Sequence, residues 1–222
     1  MPATPTIKAV VFDFDGLMFN TEEIFNLSGK ELLRRRGKEM TPAILSMMMG
    51  RRADEAFPLM IKALGLTEEP AVLRAEERAI FHDLLWKHVA PMPGLFELLA
   101  HIESRGLPKG VATSSRRPYI ETLLGHFQLM DRFNVTLTAE DVTQGKPHPE
   151  IYLTAAARIG VSPAEMLVLE DSEMGTRSAA AAGAVAVSVP HEHSRQHDFS
   201  TAYLIAEGLH DPRVLRLVSG DR

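Results

Sequence analysis

The chain has 222 residues, a formal net charge of −5 and no cysteine. The absence of cysteine excludes disulfides, thiolate catalysis and cysteine-ligated zinc. No stretch approaches the ~18 apolar residues that a membrane-spanning helix needs, and the acidic balance argues against a nucleic-acid partner. The start of the chain shows no signal-peptide pattern, so we expect a cytoplasmic protein with no nucleic-acid or membrane partner.

Residues 7–14 form a short apolar run that leads into the acidic sequence DFDG at residues 13–16. This pattern is typical of a buried strand whose C-terminal end meets a loop. From residue 21 to about residue 89, helical periodicity dominates and no segment favours a strand. Breaks between the helices of this region are expected at Gly37, Gly50, Gly65 and Pro70.

A basic run, Arg34 to Arg36, lies within this helical region. Acidic and apolar residues surround it, and it is too short to follow a nucleic-acid backbone. The pattern therefore favours a solvated helix face over a nucleic-acid or membrane contact.

After the sequence PMPG at residues 91–94, predicted helices and strands alternate. Helices are expected at residues 95–105, 118–127 and 149–159, and in the alanine-rich segment that follows residue 171. Strands are expected in GVATSS, at residues 133–137, in MLVLED and in AVAVSVP. This alternation predicts a parallel sheet covered on both faces. The predicted fold is therefore an α/β core interrupted by an all-helical insertion.

Polar residues at the C-terminal ends of the strands are the candidate functional residues, because ligands of such sheets bind beyond those ends. They lie far apart in sequence, yet the fold would bring them to one edge of the sheet. These residues are Asp13, Asp15, Thr113, Ser114, Lys146, Glu170 and Asp171.

The candidate carboxylates indicate a metal site with phosphoryl-transfer chemistry. Clustered carboxylates repel one another unless a cation neutralises them, and oxygen-only ligands favour a hard ion such as Mg²⁺. A metal beside a lysine and a hydroxyl group suits a phosphate dianion. Asp13 could then attack phosphorus and form an aspartyl-phosphate. Asp15 could protonate the leaving oxygen and later activate the hydrolytic water.

Four sequence motifs resemble the ordered motifs of the haloacid dehalogenase superfamily. They are DFDGLM, the threonine of VATSS, the lysine of GKPHPE and the acidic pair of LEDSEMG. The match covers essentially the whole chain and implies a Rossmann-like parallel sheet core flanked by helices, with an inserted all-helical cap domain. The implied core comprises residues 1–17 and 92–222, and the implied cap comprises residues 18–91.

The resemblance implies a role for each matched residue. Asp13 would be the nucleophile and Asp15 the general acid/base. The residues that would hold the phosphoryl group are Thr113, Ser114 and Lys146. The residues that would bind Mg²⁺ are Asp13, Asp15 through its backbone carbonyl, Glu170 and Asp171.

Within the superfamily, the chain is similar to the β-phosphoglucomutase-like branch. Its segments MGRRADEAFPLMIKALGL and APMPG resemble pseudouridine-5′-phosphatase-like members. The resemblance implies hydrolysis of a small organic phosphomonoester, a sugar phosphate or a nucleotide, by a monomer or weak homodimer. Candidate substrate contacts are Gly50, Arg51 and Arg52 in the cap, with Arg116 in the core.

A phosphosugar mutase is the alternative function. The mutases carry a histidine where Phe25 stands and a cap arginine where Ala53 aligns, and the branch usually has an aspartate at Asn20. The loss of the cap residues favours hydrolysis. Dehalogenase, phosphonatase and non-catalytic regulatory roles share the fold but fit the complete motif set less well.

Two other motifs point to different sites. Gly145-Lys146 resembles the end of a P-loop, but Glu140 replaces the first required glycine and Pro147 replaces the metal-binding Ser/Thr. The segment HEHSRQH at residues 191–197 suggests zinc, but it lacks the HExxH spacing. We expect a solvated loop there. A role on the substrate side stays open, because this loop also follows a strand.

Overall fold

The computed structural model describes residues 5–48 and 53–220. Within these ranges the chain forms six strands and nine α-helices. Their order is β1 (Ala9–Phe12), α1 (Thr21–Arg34), α2 (Pro42–Met48), α3 (Ala53–Leu64), α4 (Pro70–His88), α5 (Leu95–Ser104), β2 (Lys109–Ala112), α6 (Arg117–His126), β3 (Val135–Leu137), α7 (Glu150–Ile159), β4 (Met166–Glu170), α8 (Glu173–Ala181), β5 (Val185–Ser188), β6 (Leu204–Ile205) and α9 (Pro212–Ser219).

The six strands form one parallel sheet in the order β3-β2-β1-β4-β5-β6. β1 lies between β2 and β4. The chain adds β2 and β3 on one side of β1 and then adds β4, β5 and β6 on the other side. In parallel α/β sheets this arrangement opens a crevice at the carboxyl ends of the central strands. The predicted α/β fold, with a Rossmann-like parallel sheet flanked by helices, is confirmed.

Both faces of the central strand are buried, as a parallel sheet between helices requires. Alternation directs Ala9 and Val11 to one face, where they join an apolar cluster with residues of α7 and α8. Val10 and Phe12 point to the opposite face, and the ring of Phe12 meets that of Phe133 edge-on. The strands therefore offer their ends, not their faces, to a ligand.

The chain divides into two compact units. One contains the residues up to Phe19 together with those from Pro91, and the other is Asn20–Ala90. The second unit contains α1 to α4, and no strand occurs among its described residues. Its helices pack around an apolar core formed by Leu32, Leu33, Ile44, Phe57, Met60, Leu73 and Ile80.

The basic run at the end of α1 is ion-paired within the helical unit. Glu31 pairs with Arg34 and Arg35. Glu76 pairs with Arg35 and Arg36. Arg34 and Arg35 are exposed, as predicted for a solvated helix face, whereas the Arg36 side chain is only 14% exposed.

Two elements near the end of the chain were not expected from the sequence. β6 has only two residues and lies at the sheet edge, so it is too short for alternation to be visible. α9 begins with a side-chain cap from Asp211 and a proline at its first position, and Gly220 follows it in the left-handed conformation. These are ordinary helix start and stop signals. Among the described residues, no helix combines the length and the apolar character needed to cross a membrane.

Candidate active site

The two central strands, β1 and β4, place acidic residues side by side at the carboxyl edge of the sheet. Phe12 is in register with Leu169, and the N–H of Asp13 donates to the carbonyl of Leu169 at 2.9 Å. Asp13 is the first residue after β1, Glu170 is the last residue of β4, and Asp171 follows it. Strand pairing therefore brings together carboxylates that lie more than 150 residues apart.

The side chains of Asp13, Glu170 and Asp171 form a buried acidic group. One carboxylate oxygen from each lies within 4.8 Å of the other two. Three carboxylates in a buried space repel one another strongly and need compensating positive charge. Their spacing and oxygen-only chemistry fit a hard divalent cation.

Lys146, in the loop before α7, supplies part of that positive charge. Its Nζ donates to Oδ1 of Asp13 at 2.5 Å, to Oε1 of Glu170 at 2.6 Å and to the carbonyl of Ala112 at 3.1 Å. Burial by itself would lower the pKa of Lys146, but the Asp13 and Glu170 carboxylates hold that pKa well above its usual value. Lys146 is therefore a permanent cation between two buried carboxylates.

The single positive charge of Lys146 does not offset the three carboxylates of the acidic group. Burial raises the pKa of Asp13 well above its usual range, and Lys146 only partly opposes that shift. The negative charges of Glu170 and Asp171 raise the pKa of Asp13 further. Additional positive charge beside Asp13 would lower its pKa and favour the ionised form that nucleophilic attack needs. A divalent cation at the acidic group would provide this charge.

Glu170 is held on several sides by neighbouring side chains. The buried Tyr152 hydroxyl donates to its Oε1 at 2.5 Å, and the Ser172 hydroxyl donates to its Oε2 at 3.0 Å. Burial raises the pKa of Tyr152 well above its usual value, which keeps this hydroxyl a donor. Gly175, in the first turn of α8, lies so close that a Cβ there would overlap the Glu170 carboxylate. The position of Glu170 is therefore fixed by packing and by hydrogen bonds together.

Asp15 lies two residues beyond Asp13 and is held by the segment that follows β2. The Ser115 hydroxyl donates to Oδ2 of Asp15 at 2.5 Å, and the Tyr119 hydroxyl donates to Oδ1 at 2.9 Å. Gly16 follows with a φ of 74°, a left-handed conformation that glycine adopts without strain. The chain therefore turns sharply just after this carboxylate.

The residues predicted to bind phosphate have different surroundings. Thr113 is buried just after β2, and its Oγ1 accepts a hydrogen bond from the N–H of Ser115 at 3.0 Å. Its hydroxyl proton is available to donate to a ligand. Ser114 and Arg116 have exposed side chains on the same segment. Their proposed substrate contacts stay predictions, and Gly50, Arg51 and Arg52 lie outside the described residues.

The sequence did not identify the residues that hold the carboxylates of the candidate site in place. They are Ser115, Tyr119, Tyr152 and His191. Ser115 belongs to the same VATSS sequence as Thr113, and this position could have marked it as a residue of the site. The tyrosines occupy first turns of helices where an aromatic residue is as often part of the core. Only the folded chain identifies their partners.

In the histidine-rich segment after β5, Glu192, Arg195 and Gln196 are exposed as a solvated loop requires, but His191 departs from that expectation. Nε2 of His191 lies 2.9 Å from Oδ2 of Asp171, and the His191 side chain is only 15% exposed. The reason is topological: β5 is the neighbour of β4, so the residues that follow both strands leave the sheet together. His191 is therefore part of the acidic site.

Asn20, where the resemblance led us to expect an aspartate, joins the two chain segments that bound the helical unit. Its Oδ1 accepts a hydrogen bond from the N–H of Ala90 at 2.7 Å, and its Nδ2 donates to the carbonyl of His88 at 3.1 Å. An aspartate could make the first contact but not the second, because an ionised carboxylate cannot donate. Asparagine therefore has a structural use at this position.

Comparisons with known proteins identify the family that the residues of the site indicate. The family model of haloacid dehalogenase-like hydrolases matches residues 10–189. A validoxylamine A 7′-phosphate phosphatase from Streptomyces hygroscopicus subsp. limoneus is 32% identical over 193 residues, 85% of this chain and 88% of the relative. A protein named probable pseudouridine-5′-phosphatase from Drosophila melanogaster is 31% identical over 207 residues, 90% of this chain and 89% of the relative.

The fold is also that of a solved β-phosphoglucomutase from Clostridium difficile, with a TM-score of 0.74 and 21% identity. The match covers 97% of this chain and 98% of that structure. At this identity the likeness describes the fold and does not distinguish a phosphatase from a mutase. The family model and the two phosphatase relatives, by contrast, confirm the predicted family and enzyme class. The chain belongs to the haloacid dehalogenase-like hydrolases.

Proposed function

We propose that the protein is a Mg²⁺-dependent phosphatase that hydrolyses a small organic phosphomonoester, either a sugar phosphate or a nucleotide. The observation that carries this proposal is the contact of Lys146 with Asp13 and Glu170 inside a buried acidic group at the carboxyl edge of the sheet. The relatives support it, since one is named for validoxylamine A 7′-phosphate and another for pseudouridine 5′-phosphate.

Asp13 is the proposed nucleophile. One of its carboxylate oxygens attacks phosphorus, the bond between phosphorus and the ester oxygen breaks, and the phosphoryl group is carried as an aspartyl-phosphate. The ammonium group of Lys146 is proposed to contact the oxygens of the transferring phosphoryl group, and its position 2.5 Å from Asp13 supports this role. The hydroxyl of Thr113 has a proton for the same purpose.

Asp15 is the proposed general acid and base. Its carboxyl group gives a proton to the ester oxygen as that oxygen leaves, and the resulting carboxylate then takes a proton from water. That water attacks phosphorus, releases inorganic phosphate and restores the carboxylate of Asp13. Ser115 and Tyr119 hold the Asp15 side chain by hydrogen bonds, which reduces its freedom to turn away from this task.

Mg²⁺ is proposed to bind to the side chains of Asp13, Glu170 and Asp171 and to the backbone carbonyl of Asp15. When bound, the ion would offset the negative charge of the carboxylates and of the phosphoryl group. The buried acidic group fits this ion by charge and by ligand chemistry.

The helical unit is proposed to act as a cap, with domain boundaries close to residues 18 and 91. Such a cap would exclude bulk water while the phosphoryl group is transferred. Gly50, Arg51, Arg52 and Arg116 stay candidate substrate contacts. A cytoplasmic location and a monomeric or weakly dimeric state also stay predictions.

A phosphate-release screen tests the proposal. Purified protein would be incubated with sugar phosphates, nucleoside monophosphates and pseudouridine 5′-phosphate, with Mg²⁺ or with EDTA. We expect Mg²⁺-dependent release that Asp13→Asn abolishes and that the exposed control Asp131→Asn leaves unchanged. Acid-quenched wild-type protein should carry labelled phosphate, and Asp13→Asn should not. Full activity of Asp13→Asn would remove the nucleophile assignment.

The same preparation distinguishes the mutase alternative. A hexose 1-phosphate with a sugar bisphosphate activator would be converted to the 6-phosphate by a mutase, without stoichiometric free phosphate. A phosphatase would release free phosphate instead. The ratio of isomer to phosphate, followed by ³¹P NMR, decides between the two functions.

A further inference from the structure

His191 reaches the acidic site from the loop after β5. Ser188, the last residue of β5, is in register with Glu170, the last residue of β4. The N–H of Val189 also donates to the carbonyl of Glu170 at 2.6 Å. The two strands therefore end at the same level, and the imidazole of His191 comes to lie beside the carboxylate of Asp171.

The surroundings of the imidazole determine which nitrogen carries its proton. The backbone N–H of His193 donates to Nδ1 of His191 at 3.2 Å, so Nδ1 acts as an acceptor and carries no hydrogen. In the neutral ring the proton is then on Nε2. Nε2 lies 2.9 Å from Oδ2 of Asp171, and its N–H therefore donates to that carboxylate.

The loop holds the imidazole in this orientation. The N–H of His191 donates to Oγ of the buried Ser194 at 3.1 Å. The carbonyl of His191 accepts hydrogen bonds from the N–H groups of Ser194 and Arg195, both at 3.0 Å. With the backbone and both ring nitrogens engaged, the side chain is fixed before any ligand binds.

We propose that His191 is a positioning residue for the metal site, acting through Asp171. The Nε2–H of His191 holds Oδ2 of Asp171, which restricts rotation of the carboxylate and keeps it beside Asp13 and Glu170. Hydrogen bonds to the ligands of a metal are a recognised determinant of its affinity. The inference rests on the proposed function, because it assigns Asp171 to the Mg²⁺ site.

The test is a calorimetric titration of the metal-free protein with Mg²⁺ alone. Loss of the hydrogen bond in His191→Leu should weaken Mg²⁺ binding about 10-fold, the lower end of what such contacts contribute. His191→Gln should stay close to wild type, because a glutamine amide can place an N–H near the position of Nε2. The matched control is Gln196→Leu, the same kind of replacement at an exposed position of the same loop, and it should not change the affinity.

Activity provides a second readout. The Mg²⁺ concentration that gives half-maximal phosphate release should rise in His191→Leu in proportion to the loss of affinity. Wild-type protein that binds Mg²⁺ and releases phosphate, together with unchanged affinity in His191→Leu, would overturn the role of His191 and leave the proposed function intact. Wild-type protein that does not bind Mg²⁺ would overturn both.

A spectroscopic measurement keeps the inference testable if His191→Leu does not fold. Long-range ¹H–¹⁵N spectra of the wild-type protein report which ring nitrogen is protonated, and His191→Gln identifies the signals of His191 by their loss. The proposal requires a proton on Nε2 and a change of these signals when Mg²⁺ is added. A ring protonated on Nδ1, or one insensitive to Mg²⁺, would contradict it.

Discussion

The hydroxyl of Tyr119 donates a hydrogen bond to Oδ1 of Asp15 at 2.9 Å, across 104 residues of sequence. Together with Ser115, it holds the carboxyl group that we propose as the general acid and base. Tyr119 lies in the first turn of α6, so the orientation of Asp15 depends on a helix that contributes no motif residue.

Tyr119→Phe tests this relationship. It removes the hydroxyl that donates to Oδ1 of Asp15 while it keeps the ring contact with Phe14. We expect kcat/KM to fall roughly 10-fold, in line with a weakened contribution of general acid catalysis. The fall should be larger for an alkyl phosphate than for p-nitrophenyl phosphate, because nitrophenolate leaves without protonation. The control is Tyr203→Phe at an exposed tyrosine, and equal losses with both substrates would count against the assignment.

Gly175→Ala should damage the site through contact with Glu170. A Cβ at Gly175 would overlap the Glu170 carboxylate, so the helix or the side chain must shift. We expect a loss of about 1–3 kcal/mol in the free energy of unfolding, typical of overpacking, and a fall in Mg²⁺ affinity. Urea denaturation and calorimetry measure the two effects.

Gly125→Ala is the matched control for this substitution. Gly125 also lies in a helix, α6, and a Cβ there would meet no atom within 4 Å. Alanine in a helix is favoured over glycine by about 0.5–1 kcal/mol, so this variant should be more stable than wild type. If Gly175→Ala and Gly125→Ala both raised the free energy of unfolding, the Glu170 side chain would have to move freely away from the new Cβ at residue 175.

Lys146→Met removes the cation that lies between Asp13 and Glu170. The two carboxylates would then be buried without it, so we expect a loss of about 3–5 kcal/mol of stability in the absence of metal. Phosphate release should be abolished. Mg²⁺ should raise the melting temperature of the variant more than that of wild type, because added positive charge replaces part of what was lost. A smaller Mg²⁺ effect in the variant would argue that the ion binds elsewhere.

Glu77 should make the stability of the helical unit depend on pH. Burial raises the pKa of Glu77, although the Ser28 hydroxyl donates to its carboxylate at 2.5 Å. A folded-state pKa above the unfolded value means that the protonated form stabilises the fold and that this stabilisation is lost as pH rises through the folded pKa. Glu77→Gln should therefore be more stable than wild type at neutral pH, and the difference should shrink towards about pH 4.

Glu76→Gln provides the opposite case one residue away. The hydrogen bond from Arg36 lowers the pKa of Glu76, with Arg35 contributing in the same direction. Stability from a lowered pKa is present above the unfolded value and is lost as pH falls through the folded one. Glu76→Gln should thus be less stable than wild type at neutral pH and equal to it in acid. Thermal melts across the pH range measure the stability of both variants relative to wild type. If both variants were stabilised, or both destabilised, at neutral pH, the result would contradict the pKa directions of Glu76 and Glu77.

The carboxyl edge of the sheet could be predicted because its signals are local. Each buried strand is a continuous apolar run, and the polar residue that ends it is visible in the sequence. The parallel arrangement then places Asp13, Glu170 and Asp171 at the same edge of the sheet. Their contact also depends on the pairing of β1 with β4, which the tertiary structure decides. The helical insertion was equally visible from its periodicity.

β6 and the supporting residues could not be predicted in the same way. β6 has two residues and exists because β5 offers an edge with which to pair. The hydroxyls of Tyr119 and Tyr152 find their partners across 104 and 18 residues, and periodicity does not specify which helix faces which strand end.

His191 shows most clearly where the sequence and the tertiary structure each contribute. The sequence by itself determined the family, the strand-end carboxylates and Lys146, because these depend on short motifs and on buried runs. It also placed a histidine-rich loop after a strand. Only the tertiary structure decided that β5 lies next to β4 in matching register, and therefore that His191 contacts Asp171. A hydrogen bond depends on distances of a few tenths of an ångström, which the packed fold sets and a sequence pattern does not.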